Sequence, residues 1–599
     1  MKGAWQVARR PAWALALLVL CAFWFAVYSG TLSVNHEYDS LSYALDLERG
    51  RPLYLLFHPH HLIYNWLGRQ WYLLLTWLGF HQGRAMVPGQ LLDCLIGSLG
   101  LGLFWTALRR VTGDPWVPLV AALGLGSCFG YWHASTILAV RVLNGFSLIL
   151  VFACLPAALR GGTRALVLLG LAHGFSILCH QTNALLTPAI LVTLLAHLPG
   201  SFSEDPLGRL GKAGLVLLCA TALASAVYLF VGVFIWLRQS PPTFVTWLFS
   251  YLGVHEWTRQ KANALPQALF GWGTLFLGPI RPEPAVGGFR HADIRVLLSW
   301  VGGLSVLYLV LKGLWLARAR AGWATLACLA WLGMAALARA LPLAADWTTV
   351  LAAAAALALL GFTLWGWNLA SPPRGWVLLF CALWLAAYVP FFYWWEPWNV
   401  EFWLSCLPPL FILMALSLSD LALLVRPRPW NLAWKGGLVA LLACCVGLLF
   451  LSNLRGKVAF DGQAANNRYY NMLRAVDRAV RPRDLLVVLG DNGVPMYLTY
   501  FQPKRRVLSF DREFKRFPDR PERAFPEVEK RLKLELKRHD RVFLLNEVVN
   551  RDRKDEAYFS RNFGLPPTAV RGFVEGLKLK PVKLWGFKEQ FLYRMTGTR

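Results

Sequence analysis

Apolar segments about 20 residues long recur along the first three quarters of this chain, and they constrain its fold more than any other feature. An α-helix needs about 20 apolar residues to cross the hydrocarbon layer of a bilayer. Lipid offers the backbone no hydrogen bonds, so such segments must be helical. Of the 599 residues 56% are hydrophobic, more than the roughly 45–50% apolar content of a soluble domain. The pattern therefore predicts an α-helical polytopic membrane protein.

Basic residues flank these segments in an alternating pattern that predicts their orientation. The predicted spans are 11–29, 88–108, 115–132, 138–158, 164–180, 183–199, 213–236, 295–316, 322–339, 346–367, 375–393, 402–423 and 434–452. Every second loop is basic: Arg109 with Arg110, Arg160 with Arg164, Arg209 with Lys212, Arg318 with Arg320, Arg374, and Arg426 with Arg428 and Lys435. Basic loops stay on the cytoplasmic side. We therefore expect thirteen transmembrane helices in the inner (plasma) membrane, a cytoplasmic N-terminus and an extracytoplasmic C-terminal domain.

Residues 1–452 form the predicted transmembrane domain, and two of its predicted extracytoplasmic loops are long, 30–87 and 237–294. Each loop holds a stretch rich in aromatic and apolar residues, Leu62 to Phe80 in the first and Phe244 to Trp257 in the second. This pattern is typical of helices that lie in the membrane interface rather than crossing it.

The tail, 453–599, has the character of a soluble domain. Short apolar runs alternate there with helical patterns such as Phe525 to Arg538, which predicts an α/β fold with a small mixed or parallel sheet. The predicted strands are 485–489, 506–510, 542–545, 582–587 and 591–594. No constellation of catalytic residues is visible in the tail. We therefore expect it to select an acceptor rather than to carry out chemistry.

The chain is strongly basic, with a formal net charge of +27, and the tail alone has 32 Lys and Arg against 18 Asp and Glu, a net charge of +14. Basic loops and a basic tail explain this charge. The basic residues are not interleaved with exposed aromatic residues on one soluble domain, so we expect no nucleic acid as a partner. Membrane lipids are the expected surroundings.

The first long loop contains several acidic residues and histidines that could take part in catalysis or binding. It begins Asn35-His36-Glu37-Tyr38-Asp39 and continues to Phe57-His58-Pro59-His60-His61. A carboxylate at the membrane edge can take a proton from an acceptor hydroxyl and can stabilise positive charge at a sugar carbon. Nearby histidines can bind phosphate when protonated or a metal when neutral. The alternative is a solvated loop whose polar residues are satisfied locally.

These motifs resemble the GT-C superfamily of membrane glycosyltransferases, in particular the branch of protein O-mannosyltransferases and their bacterial relatives. In that family a catalytic Asp lies in the first outside loop and a His-Pro segment follows about twenty residues later; Asp39 and His58-Pro59 occupy those places. Tyr131-Trp132-His133 through Arg141, and His180-Gln181-Thr182-Asn183, resemble further family segments. The resemblance covers about the first 200 residues by motif, and the remainder by topology only.

Two features depart from the family pattern. Many relatives have an adjacent Asp-Glu pair, whereas Tyr38 separates Glu37 from Asp39 here. The pair His60-His61 replaces smaller residues after the His-Pro motif. The match to the family pattern therefore supports the catalytic role of Asp39 more strongly than it supports roles for the histidines.

The resemblance implies an inverting transfer of a sugar from a polyprenyl-phosphate donor to an extracytoplasmic acceptor, which is a protein, a lipid or a glycan. Asp39 would be the general base, with Glu37 as the second acid. The candidate substrate-binding residues are His58, His61, Arg141, His180, Gln181, Arg259, Glu396 and Asn399. For Arg141 the competing interpretation is a snorkelling or ion-paired structural role. Asp93 and His173 lie within predicted spans and are interpreted as polar contacts between helices.

We expect no required cofactor. A divalent metal held by the loop histidines and Asp39 stays an open alternative, because no spacing in the loop is diagnostic of a metal site.

Two other functions remain as alternatives. A transporter or lipid-glycan flippase with an extracytoplasmic sensor domain would show ionisable residues along the centres of its spans and two related halves; neither is visible in the sequence. A ligase of the O-antigen type, which uses a diphosphate-linked glycan, is an enzymatic variant of the leading hypothesis.

Overall fold

The structure is a computed structural model of the 599-residue chain. It describes residues 2–48, 52–80, 83–198, 205–236, 244–248, 264–278, 285–286, 289–290, 375–397, 399–424, 431–490, 493–517, 520–538, 541–550, 559–560, 563–584 and 591–598. The chain divides into two compact units. The membrane unit comprises Met1–Ser33 and Asp46–Phe460, and the C-terminal unit comprises Val34–Leu45 and Asp461–Arg599.

Helices make up most of the membrane unit. They are α1 Lys2–Ser29, α2 Tyr38–Leu47 (whose first eight residues belong to the C-terminal unit), α3 Tyr64–Trp77, α4 Met86–Thr112, α5 Trp116–Ser127, α6 Phe129–Thr136, α7 Arg141–Ala158, α8 Thr163–Cys179, α9 Thr187–His197, α10 Pro206–Phe230, α11 Phe244–Leu248, α12 Ala264–Phe276, α13 Gly375–Trp395, α14 Val400–Trp403, α15 Leu407–Leu424 and α16 Asn431–Asn453. A short antiparallel hairpin joins β1 Ala285–Val286 and β2 Phe289–Arg290.

Seven helical segments within the described ranges are long and apolar enough to cross a membrane: Ala12–Ser29, Met86–Thr112, Arg141–Ala158, Pro206–Phe234, Gly375–Trp395, Val400–Ser419 and Val439–Asp461. Two shorter helices, α5 and α8, are also apolar. The chain is therefore a helical, multi-spanning membrane protein, as predicted. The predicted spans on described residues overlap helices, whereas 295–316, 322–339 and 346–367 lie outside the described residues.

The predicted span 115–132 is not one helix. It breaks at Cys128, whose backbone is extended (φ −63°, ψ 134°), between α5 and α6. The break exposes carbonyl groups that must find donors. The Tyr28 hydroxyl donates to the carbonyl of Gly126 at 3.1 Å, and the Asn453 side chain donates to that of Ser127 at 2.8 Å. Hydrogen-bond donors from distant helices therefore make the break at Cys128 possible. The hydrophobic pattern of 115–132 gives no sign of this break.

The two long loops contain more helix than predicted. The stretch Leu62 to Phe80 forms α3, as expected, but α2 and α12 were not predicted. Of the stretch Phe244 to Trp257, the structure shows α11, and the rest lies outside the described residues.

The C-terminal unit is built on a five-stranded mixed sheet. The strands are β3 Leu485–Val488, β4 Arg506–Ser509, β5 Val542–Leu545, β6 Leu577–Val582 and β7 Leu592–Thr598, in the order β4-β3-β5-β7-β6. The central strand β3 pairs in parallel with β4 and β5, whereas β7 is antiparallel to both β5 and β6. The predicted α/β fold is confirmed.

Helices cover both faces of this sheet: α17 Arg468–Ala479, α18 Val494–Phe501, α19 Phe510–Lys515, α20 Ala524–Lys537, α21 Asn546–Val549 and α22 Ala569–Glu575. Alternate residues of β3 belong to different cores, with Leu485 packed in the cluster that contains Val528 of α20 and Leu486 in the cluster that contains Leu498 of α18. Burial on both faces explains why the strand is a continuous apolar run.

One strand was misplaced by the sequence pattern. Of the predicted strand 582–587, Val582 is the last residue of β6, residues 583–584 are not in a strand, and 585–587 lie outside the described residues. Lys578, Lys580 and Pro581 lie in this edge strand, and lysine and proline are typical of edges because they discourage further pairing. The same residues weaken the hydrophobic pattern that identifies a strand.

Candidate functional site

Asp39 lies in the first turn of α2, and its side chain is exposed. The N-terminus of a helix favours a negatively charged side chain, because the first backbone N–H groups have no partner within the helix and carry partial positive charge. Glu37 immediately precedes the helix, and its carbonyl accepts the backbone N–H of Leu41 at 3.2 Å. Asp39 thus has the water-accessible placement that a proton acceptor requires.

The backbone just before α2 is fixed by residues of the same unit. The N–H of Val34 donates to the carbonyl of Asp461 at 2.9 Å. The side chain of Asn467 donates to the Val34 carbonyl at 2.7 Å, and the Tyr497 hydroxyl donates to the His36 carbonyl at 2.8 Å. The candidate acid therefore follows a backbone segment that hydrogen bonds hold in place, and not a solvated loop.

Within the membrane unit, four histidines from two distant segments meet. The rings of His58 and His61 stack with centroids 4.6 Å apart and an interplanar angle of 10°, and those of His60 and His180 lie edge to face at 6.2 Å. The backbone N–H of Gln181 donates to the His60 carbonyl at 2.9 Å. We call His58, His60, His61 and His180 the histidine cluster. The cluster contains three of the predicted substrate-binding residues, His58, His61 and His180, and a fourth, Gln181, is bonded to it through its backbone.

Further contacts hold the cluster in place. The Tyr228 hydroxyl of α10 donates to the carbonyl of Pro59 at 2.7 Å. Nδ1 of His180 accepts the backbone N–H of Thr182 at 3.3 Å and lies 2.7 Å from its hydroxyl. A ring nitrogen that accepts a backbone N–H carries no proton, so the remaining proton of a neutral His180 is on Nε2.

The loop histidines are uncharged at neutral pH. Burial lowers the pKa of His58 to about 4. Burial, with the neighbouring His180 and His58, lowers the pKa of His60 to about 3. Burial, with the other three histidines, also holds the pKa of His61 well below its usual value. The cluster can therefore meet a ligand through hydrogen bonds but offers it no positive charge.

A neutral imidazole is also the form that binds metal ions. Among the described residues, however, no group of three or more His, Cys, Asp or Glu side chains is arranged to hold a metal ion.

Arg141, at the start of α7, forms an ion pair with Glu401 of α14. Its side chain is only 9% exposed, whereas that of Glu401 is 32% exposed. This ion pair agrees with the structural interpretation of Arg141 that the sequence leaves open.

Glu396 and Asn399 form the turn that presents Glu401. The Asn399 amide donates to the buried Glu396 carboxylate at 2.7 Å, and its side-chain oxygen accepts the backbone N–H of Glu401 at 3.1 Å. The two residues therefore orient the Arg141 ion pair. Arg259, the remaining predicted substrate-binding residue, lies outside the described residues.

A buried polar network next to this pair was missed by the sequence analysis. Asn183 donates to the side chain of Asn144 at 2.7 Å and accepts the Tyr388 hydroxyl at 3.0 Å; Asn144 in turn donates to Ser405 at 3.2 Å. The signal in the sequence was an asparagine within an apolar span, because amides inside a membrane bundle usually bond across helices.

The expected contacts of Asp93 and His173 are present. The Asp93 carboxylate accepts the Tyr64 hydroxyl at 2.6 Å, and Nε2 of His173 lies 2.8 Å from the Thr187 hydroxyl. Both residues link neighbouring helices.

The structure of the chain is similar to those of several solved proteins. It is similar to ArnT from Cupriavidus metallidurans in the apo state, with 13% identity, 98% of each chain covered and a TM-score of 0.48. It is also similar to the oligosaccharyltransferase of Archaeoglobus fulgidus in its complex with Zn and sulfate, with 13% identity, 93% of this chain and 71% of that chain covered, and a TM-score of 0.45. No model of a known protein family and no curated protein matches the sequence. At these scores the likenesses assign no activity to the chain.

Proposed function

We propose that this chain is an inverting glycosyltransferase of the GT-C type. It takes a sugar from a polyprenyl-phosphate donor and transfers it to an acceptor hydroxyl on the extracytoplasmic side of the inner membrane. The motifs of the first 200 residues support this proposal, as does the helical membrane unit. The observation that carries it is the exposed Asp39 carboxylate in the first turn of α2, directly after an anchored backbone.

In the proposed reaction Asp39 accepts the proton of the acceptor hydroxyl. The acceptor oxygen forms a bond to the anomeric carbon from the face opposite the phosphate. The bond from that carbon to the phosphate oxygen breaks, and its electron pair leaves on the polyprenyl phosphate. One displacement inverts the anomeric centre, and the anionic carboxylate stabilises the positive charge that develops there.

The groups of the membrane unit suit the donor phosphate. Arg141 supplies the positive charge, and Glu401 holds its guanidinium in one orientation. The histidine cluster, with Gln181, supplies neutral hydrogen bonds, because burial keeps its loop imidazoles unprotonated.

The test compares Asp39→Asn with Glu37→Gln in purified protein, using a panel of radiolabelled polyprenyl-phosphate sugars and a membrane extract as the acceptor source. Asparagine keeps the size of the side chain but cannot accept the proton, so we expect transfer to fall by roughly 10²–10⁴-fold, as on removal of a general base. Glu37→Gln should reduce transfer less. Binding of unlabelled polyprenyl phosphate, followed by native mass spectrometry, should be unchanged in Asp39→Asn.

Near-normal transfer by Asp39→Asn would contradict the proposal. If Glu37→Gln lost transfer instead, the two acids would exchange roles. Movement of labelled lipid across proteoliposomes without any transfer by the wild-type protein would favour the flippase alternative.

A further inference from the structure

Asn467 and Tyr497 form a buried chain of hydrogen bonds in the C-terminal unit. Nδ2 of Asn467 donates to the Val34 carbonyl at 2.7 Å and to the Tyr497 hydroxyl at 2.8 Å, and so uses both of its protons. The Tyr497 hydroxyl in turn donates a hydrogen bond to the His36 carbonyl at 2.8 Å. Asn467 and Tyr497 are each 2% exposed, so water does not replace a lost partner.

Each residue is itself held in one conformation. The side-chain oxygen of Asn467 caps α17 by accepting the backbone N–H of Tyr470 at 3.0 Å. Tyr497 lies on α18, with its ring 5.7 Å from that of Phe501. Burial raises the pKa of Tyr497 to about 12, so its hydroxyl keeps its proton and remains a donor.

The anchored backbone leads directly into the helix of the candidate acid. The ring of His36 packs against those of Tyr497 and Phe501, with centroids 6.3 and 6.0 Å away. The carbonyl of the next residue, Glu37, accepts the backbone N–H of Leu41, and Asp39 lies in the helical turn that this bond closes. No flexible linker separates the His36 anchor from Asp39.

We propose that Tyr497 and Asn467 are positioning residues for Asp39, so that the C-terminal domain sets the placement of the general base. This inference rests on the proposed function. The domain then does more than select an acceptor, because the carboxylate that takes the acceptor proton moves if these two side chains release the backbone of 34–36. A misplacement of about 1 Å at a reacting group costs on the order of 10²-fold in rate.

The decisive variant is Tyr497→Phe, which removes the hydroxyl and keeps the ring contacts. We expect kcat for transfer from the labelled polyprenyl-phosphate sugars to fall by about tenfold or more, a fraction of the loss that full misplacement causes, with KM for the donor nearly unchanged. Tyr469→Phe is the matched control. The Tyr469 ring also packs on Tyr497, at 5.6 Å, but its hydroxyl is outside this chain of hydrogen bonds, so its kcat should equal that of the wild type.

Asn467→Asp is the second variant. A carboxylate keeps the acceptor that caps α17 but loses both donors and faces the Val34 carbonyl oxygen. It should lower kcat at least as much as Tyr497→Phe. It also tests the inference if Tyr497→Phe fails to fold, as judged by thermal melting.

The double variant Asp39→Asn with Tyr497→Phe separates this inference from the proposed function. If Tyr497 acts through Asp39, it should have no further effect once the carboxylate is gone, because residues that act as a unit are not additive. Loss of transfer in Asp39→Asn with a wild-type kcat in Tyr497→Phe would overturn the positioning role alone. An additive double variant would also overturn it. Full transfer by Asp39→Asn would overturn the proposed function.

Discussion

The Tyr64 hydroxyl donates a 2.6 Å hydrogen bond to Oδ2 of Asp93, and the same oxygen accepts the backbone N–H of Ala139 at 3.1 Å. One fully buried carboxylate therefore joins α3, α4 and the turn before α7. Because Arg141 begins α7 two residues after Ala139, Asp93 helps to set the position of the arginine proposed to meet the donor phosphate.

Removing the Tyr64 hydroxyl should destabilise the membrane unit. Tyr64→Phe leaves a buried carboxylate with one donor fewer, which costs about 1–3 kcal/mol, and the melting temperature in detergent should fall. Asp93→Asn should cost less in the Tyr64→Phe background than alone, because the two residues share one hydrogen bond. Additive losses would show that the contact does not couple them.

The Arg141–Glu401 pair predicts opposite effects on stability and on anion binding. Glu401→Gln removes the carboxylate from a buried guanidinium, so the melting temperature should fall by the equivalent of about 1–3 kcal/mol, less than for a fully buried pair. With less of its positive charge neutralised by Glu401, Arg141 should bind polyprenyl phosphate more tightly, seen as a larger stabilisation on adding that lipid. Arg141→Gln should lose this stabilisation. A weaker response to the lipid in Glu401→Gln would remove Arg141 from the proposed phosphate site.

Acid should destabilise the membrane unit through the histidine cluster. In the unfolded chain these residues titrate near pH 6.5, whereas burial lowers the pKa of His58 to about 4 in the folded protein. Stability is therefore fully present above pH 6.5 and is lost as the pH falls toward 4, since the unfolded state binds protons first. Melting curves between pH 7.5 and 4.5 should show this loss, and His58→Gln with His60→Gln should flatten it. An unchanged pH slope in that double variant would locate the acid sensitivity elsewhere.

The sequence predicts those structural features that depend on residues close together in the chain, and it misses features that depend on residues far apart. The membrane helices follow from apolar runs because each satisfies its own backbone. The break at Cys128 does not, since its carbonyls are satisfied by Tyr28 and by Asn453, which is 326 residues away from Ser127. β6 was missed because lysines at a sheet edge conceal its pattern.

The candidate site shows the same limit. The cluster at 58–61 was visible as a motif, but its meeting with His180 joins two segments far apart in the chain. The anchors of the Asp39 segment lie 433 and 461 residues from the carbonyls that they bind. Asn467 and Tyr497 also belong to a region without any motif, so no local pattern singled them out.

The orientation of the chain can be tested with reporters after Lys457, beyond the last predicted span. The alternation of basic loops predicts that this point is extracytoplasmic, so an alkaline phosphatase fusion should be active and a fluorescent-protein fusion dark. Fusions after Arg110, in a predicted cytoplasmic loop, should give the reverse pattern. Fluorescence from the fusion after Lys457 would require an even number of spans and would exclude an extracytoplasmic C-terminal domain.

The Asp484–Arg541 pair should give the C-terminal unit a distinctive dependence on pH. Oδ2 of Asp484 receives hydrogen bonds from Arg541 at 2.6 Å and from the backbone N–H of Arg481 at 2.7 Å, and its side chain is 2% exposed. Burial alone would raise the pKa of Asp484, but these bonds hold it below its usual value. The pair therefore stabilises the wild-type unit above the unfolded pKa of about 3.9, and this stability is lost only as the pH falls through the lower folded pKa.

Arg541→Gln should reverse that dependence. Without the guanidinium, we expect burial to outweigh the remaining backbone hydrogen bonds and to raise the folded pKa of Asp484, so the variant should lose about 1–3 kcal/mol at pH 7, because a buried carboxylate has lost its partner. It should then regain stability as the pH falls from 7 toward 4, where the carboxylate is protonated, while the wild-type protein does not. Adding Asp484→Asn should restore stability at pH 7, because no buried charge remains.

The control is Lys533→Gln, whose partner Glu529 is 41% exposed. An exposed pair contributes about 0.2–1 kcal/mol. If Arg541→Gln behaved like this control at every pH, the buried pair would stabilise the sheet no more than a surface pair does.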